Sequence, residues 1–113
     1  MGLSALSPAH AEAPASARVE IAYLLRTIAD SNCAFFRNGD WYDSKQAEQH
    51  LRLKYDALLA RDLIGSAEDF IERGATYSSL SGRAYAVRCP GTAVAPAAQW
   101  LRELLARYRR SHQ

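Results

Sequence analysis

The stretch Cys33-Ala34-Phe35-Phe36-Arg37-Asn38-Gly39-Asp40-Trp41-Tyr42 decides the fold. Aromatic β-formers flank Asn38-Gly39, and this dipeptide tolerates the positive φ values that a type I′ turn demands at both central positions. The segment therefore reads as a tight hairpin, with Cys33–Arg37 and Asp40–Tyr42 as its arms. Arms this short need packing to persist, so the hairpin must lie against something else in the chain.

On either side the periodicity changes to that of a helix. Upstream, Ile21, Leu24, Leu25 and Ile28 make one apolar stripe over about 16–32, with Val19 near it and Ser16 placed to cap. Downstream, Asp43 and Gln46 have the spacing of a capping box. Behind them Ala47, Leu51, Tyr55, Leu58 and Leu59 form a second stripe, bordered by His50 and Lys54. Ser66 and Asp69 open a third helix that runs through Phe70 and Ile71 to a stop at Gly74. From Gly82 to Cys89 the pattern alternates, with Arg83, Tyr85, Val87 and Cys89 on one face, so this is a strand. A fourth helix follows Pro96, carried by Trp100, Leu101, Leu104, Leu105 and Tyr108.

The expected fold is α+β. About four helices pack on a small antiparallel sheet made of the hairpin and one more strand.

Composition bounds the rest. The 113 residues carry 14 Lys+Arg against 12 Asp+Glu, a net charge of +2, and are 49% hydrophobic. Such a balance gives no general attraction to nucleic acid, and no apolar run is long enough for a transmembrane helix. One globular domain over 18–110 is expected. Residues 1–17, rich in Ala, Ser and Pro, read as a disordered arm. Ala9-His10-Ala11 has the small-x-small form of a signal-peptidase site, and Ala15-Ser16-Ala17 is a weaker match. The arm thus reads as the retained end of an export signal.

Cys33 and Cys89 are the only cysteines, and neither belongs to a C-x-x-C motif. Two buried free thiols would fit the composition. Taken with the export motif, however, a disulfide is the preferred reading. It would add about 4 kcal/mol at most by closing so long a loop, and it would lay the Gly82–Cys89 strand beside the hairpin. No cofactor is called for, and no metal, since two Cys and a His lack clustered ligand spacing.

At this point the chain resembles the YfeK-like family of small exported bacterial proteins, a domain of unknown function. The resemblance rests on Cys33-x-Phe35-x-Arg37-Asn38-Gly39, Ala47-x-x-His50-Leu51-x-x-Lys54, Asp69-Phe70-Ile71, Ser78-Ser79-x-Ser81-Gly82-x-x-Tyr85 and Trp100-Leu101. It implies a periplasmic or secreted protein of a Gram-negative cell and supplies no catalytic residue.

The candidate binding residues are Arg37, Asn38, Asp40, Trp41, Tyr42, His50, Lys54, Ser79, Ser81, Arg83 and Tyr85. They lie in or beside connecting segments, where binding groups concentrate. Arg, Trp and Tyr are also the residue types that anchor interfaces. His50 and Lys54, one turn apart, read as ties from helix to loop; a serine within reach would instead make His50 a hydrolase base. Cys33 as a thiol nucleophile beside His50 is excluded if the disulfide forms. Ser81-Gly82-x-x-Tyr85 is similar to the Ser-Gly-x-x-Tyr loop of periplasmic lysozyme inhibitors, in which Arg83 would meet catalytic carboxylates. Arg107, Arg109 and Arg110 read as a solvated tail that complements the helix dipole. The expectation is a non-catalytic binding module, monomeric or weakly dimeric, for an unknown protein or cell-envelope ligand.

Overall fold

The structure, a computed structural model, describes residues 13–113. Four helices, α1 (Ala15–Asp30), α2 (Ser44–Ala60), α3 (Ala67–Gly74) and α4 (Ala97–Ser111), accompany four short strands. These are β1 (Ala34–Arg37), β2 (Asp40–Tyr42), β3 (Ala86–Arg88) and β4 (Ala95–Pro96), in the spatial order β2-β1-β3-β4. Every pairing is antiparallel, and the class is α+β as expected.

The hairpin turns at Asn38 and Gly39 with φ of 53° and 90°, closing the Arg37↔Asp40 pair. Its packing partner is β3, in register Phe35↔Val87. The disulfide Cys33–Cys89 continues that ladder by one step beyond Ala34↔Arg88. Side-chain alternation then puts Phe35 and Val87 on the helix side of the sheet, where Phe35 meets the Trp100 ring edge-on with centroids 5.6 Å apart. Ile21, Leu24, Ile28, Phe70, Ile71 and Leu101 complete a fully buried centre shared by α1, α3 and α4.

Several local expectations need correction. The strand over 82–89 is shorter, with only Ala86–Arg88 laddered and a single bridge at Tyr77↔Ala84 before it. Strand β4 was not foreseen: two residues carry no period, and Pro96 is tolerated because it sits on a sheet edge. Helix α1 begins at Ala15, so the boundary expected between 17 and 18 falls inside it, and Ala13 and Ala17 are buried. Ser16 is thus a helical residue rather than a cap, and Val19 is exposed. The remainder of the expected arm, including Ala9-His10-Ala11, lies outside the described residues. Gly74 ends α3 without a positive φ; a Cβ there would stand 3.3 Å from Cδ1 of Leu58, so close approach to α2 explains the glycine.

Among the described residues no helix is long and apolar enough to cross a membrane.

Candidate functional site

Helix α2 starts on a complete capping box, with Asp43 accepting from the Gln46 N–H at 2.8 Å and Gln46 Oε1 accepting from the Asp43 N–H at 3.1 Å. This fixes the helical phase, and with it the side of α2 on which His50 and Lys54 stand one turn apart. Facing them is Tyr85, turned inward by the alternation that buries Val87 and only 6% exposed. Lys54 Nζ donates to the Tyr85 hydroxyl and to the Tyr77 carbonyl, both at 3.1 Å. His50 Nε2 lies 3.1 Å from the same hydroxyl. With the ammonium donating, the phenol proton is directed to Nε2, so the arrangement suits a neutral imidazole with its proton on Nδ1.

The third basic group comes from the sheet. Arg37, at the end of β1, shares a face with Phe35 and Tyr42, and its guanidinium carbon sits 5.7 Å from the Tyr42 ring centroid. Its Nε is buried and has no hydrogen-bond partner. Burial lowers the His50 pKa below 6.5, and the charges of Arg37 and Lys54 lower it further. Lys54 is also lowered, by burial and then by Arg37. Burial raises Tyr85, with Arg37 opposing it, so the phenol stays protonated. Three basic side chains therefore crowd a neutral phenol, and the Arg37 charge adds to burial in depressing both of the others.

Beside this cluster a cavity of about 290 Å³ opens between the hairpin and α2. Phe35, Leu51, Ala97 and Leu101 give it an apolar floor, while Arg37, Tyr42, His50 and Tyr85 form its polar wall. Its rim on α2 is Gln46, Gln49 and Leu53, which with His50 follow the i, i+3, i+4, i+7 spacing of one helix face. Leu53 is 69% exposed there. The rim and the apolar floor were not among the sequence candidates. That helical spacing was the available signal, but two glutamines and an exposed leucine look like a solvated border.

The remaining candidates lie elsewhere. Ser81 Oγ donates to Asn38 Oδ1 at 2.6 Å, pinning the 78–83 loop to the hairpin turn. That loop is closed by Ser78 N–H to Arg83 carbonyl and Gly82 N–H to Ser78 carbonyl bonds, both 2.9 Å. Arg83 lies over Phe36 and Arg88 over Trp41, at 5.6 and 4.2 Å, on the sheet face opposite Phe35. Asp40 and Ser79 are exposed. The structure thus joins Arg37, Tyr42, His50, Lys54 and Tyr85 into one constellation and leaves Trp41 and Arg83 on another surface.

Chemical alternatives narrow accordingly. Cys33 is bonded to Cys89 and offers no thiol. Ser78 Oγ accepts from the Leu80 and Ser81 N–H groups, and the hydroxyl on His50 belongs to Tyr85. Among the described residues, no group of three or more His, Cys, Asp or Glu could hold a metal ion. The expected solvated tail is corrected at one residue: Arg109 pairs with both Glu20 and Glu68, joining α4 to α1 and α3.

Comparison with known proteins gives a match over residues 15–109 to a family of unknown function, DUF5329. An uncharacterized protein, YfeK, of Salmonella typhimurium strain LT2 is 37% identical over 79 residues, which is 69% of this chain and 64% of that protein. The chain thus matches somewhat under two thirds of that relative's length. No solved structure matches the chain.

Proposed function

The chain belongs to the DUF5329 family of unknown function, and from that premise we propose that it is an exported, non-catalytic binding module whose ligand seat is the cavity between the hairpin and α2. The observation that carries the reading is the Arg37 Nε, buried without a partner on a residue that lines the cavity. A buried donor left unpaired costs free energy, and a bound acceptor relieves it. Around it the polar groups are arranged to receive rather than to react. The His50 nitrogen facing the phenol is engaged by it, and that phenol is held protonated.

Export is supported by the Cys33–Cys89 bond, which persists in oxidising compartments, and by the small-x-small motif at Ala9-His10-Ala11. Inhibition of a cell-wall hydrolase through Ser81-Gly82-x-x-Tyr85 is less favoured. Tyr85 of that motif is committed to the buried cluster, and Ser81, Gly82, Arg83 and Ala84 are what remain at the surface.

Two measurements test the proposal. Expressed from its native gene in a Gram-negative host, the protein should appear in the osmotic-shock fluid without free thiols; cytoplasmic retention with two reactive thiols would overturn export. Amide shifts during titration with a fragment panel should cluster at Phe35, His50, Leu51 and Tyr85. Clustering at Trp41 and Arg83 instead would move the binding surface to the other side of the sheet.

A further inference from the structure

We infer that the cavity takes a single-headed amphiphilic carboxylate, its carboxyl group received by Arg37 and its aliphatic tail laid over Phe35, Leu51 and Leu101. The inference rests on the proposed cavity reading and adds the chemistry of the ligand.

The headgroup follows from the wall. Its basic groups are Arg37 and His50, while Lys54 outside the lining is already bonded to Tyr85 and Tyr77, leaving Arg37 as the group with an unused buried donor. A guanidinium presents its N–H groups in a planar fork that matches a carboxylate. After burial, it is the Arg37 charge that depresses both His50 and Lys54, and a carboxylate seated on the guanidinium would offset that repulsion. With His50 neutral and Lys54 outside the lining and bonded to Tyr77 and Tyr85, the charge on the cavity wall is that of Arg37, which suits a monoanion better than a phosphate dianion.

The tail follows from the floor and the volume. Apart from the polar wall and the rim, the lining is apolar and includes Phe35, Ala47, Leu51, Ala75, Ala97 and Leu101. A cavity of about 290 Å³ has room for an aliphatic chain of medium length, such as that of octanoate. The open rim passes the exposed Leu53, an apolar surface along which a longer chain would continue.

Isothermal titration calorimetry of the intact, oxidised protein with octanoate, octanol, octylamine and inorganic phosphate tests the inference. Octanoate should bind, octanol about tenfold or more weakly, as expected for loss of a charge-assisted pair, and octylamine and phosphate not measurably. Arg37→Met should remove the preference of octanoate over octanol, while Arg83→Ala on the outer sheet face should preserve it. If Arg37→Met does not fold, Arg37→Lys serves, with octanoate weakened but still ahead of octanol. As an independent readout, octanoate should raise the pH at which the His50 ring titrates by NMR, since the carboxylate joins Arg37, Lys54 and Tyr85 around it. Equal binding of octanol and octanoate overturns the carboxylate and leaves the cavity reading standing. Silence from every amphiphile, together with no fragment shifts at Phe35 or Leu51, overturns both.

Discussion

His50 Nε2 stands 3.1 Å from the hydroxyl of Tyr85, a residue 35 positions further along the chain. With the Lys54 bond to the same oxygen, this contact holds α2 against the segment that enters β3. Tyr85→Phe keeps the buried ring and removes the oxygen that both basic groups use. The expected cost is about 1–2 kcal/mol, because two partly buried polar groups lose a partner. Urea denaturation should show the midpoint lowered at an unchanged slope. An unaltered midpoint would mean that these groups find water without penalty.

The same contact sets a pH dependence. The folded-state pKa of His50 lies below its ordinary 6.5, through burial first and then Arg37 and Lys54. Below that ordinary value the unfolded chain binds the proton more readily than the folded one. This contribution to stability is therefore full above the unfolded pKa and is lost as pH falls through the folded one. Melting temperature should decline on acidification while still above the carboxylate range. His50→Gln, which keeps an acceptor for Tyr85, should flatten the decline; an identical slope in the variant would assign it to other groups.

Removal of the Cys33–Cys89 bond tests how much the sheet depends on it. The bridge spans a sequence separation of 56 and continues the β1–β3 ladder. Cys33→Ser with Cys89→Ser should lower stability by about 4 kcal/mol at most, since the freed unfolded chain regains loop entropy. The native protein should show a matching loss under reductant and the double variant none. Insensitivity of the native protein to reductant would show that packing of Phe35 against Trp100 and Val87 secures the hairpin unaided.

What could be read from the sequence was local. Asn38-Gly39 announces its turn, Asp43 and Gln46 announce their cap, and Tyr85 and Val87 show their burial by alternation, because each effect acts within a few residues. Strand β4 could not be read, since Ala95-Pro96 is too short to carry a period. The adjacency of His50 and Lys54 follows from helical spacing, yet their meeting at Tyr85 is long-range and leaves no pattern in either segment. The cavity was less legible still. Its walls come from β1, β2, α2, α4 and the segments before β3, and no single stretch contains enough of them.

Arg109 gives the sharpest test of a contact hidden from the sequence. Among three arginines near the end of α4, it alone reaches across to two carboxylates. Nε and Nη2 bond Glu20 at 2.8 and 2.9 Å, and Nη1 and Nη2 bond Glu68 at 2.7 and 3.0 Å. A forked guanidinium on two acids resists the entropy loss that cancels isolated surface pairs, although 41% side-chain exposure keeps the gain modest. Arg109→Ala should cost about 1 kcal/mol, while Arg107→Ala and Arg110→Ala should be nearly neutral. The difference should shrink in high salt. Arg109 also holds the Glu68 pKa below its usual 4.5. That part of the stability is present above the unfolded carboxylate's pKa and disappears as pH falls through the folded value. A double-mutant cycle with Glu20→Gln should return a coupling energy of the same sign and order. A coupling of zero would reduce Arg109 to the solvated-tail role of its neighbours.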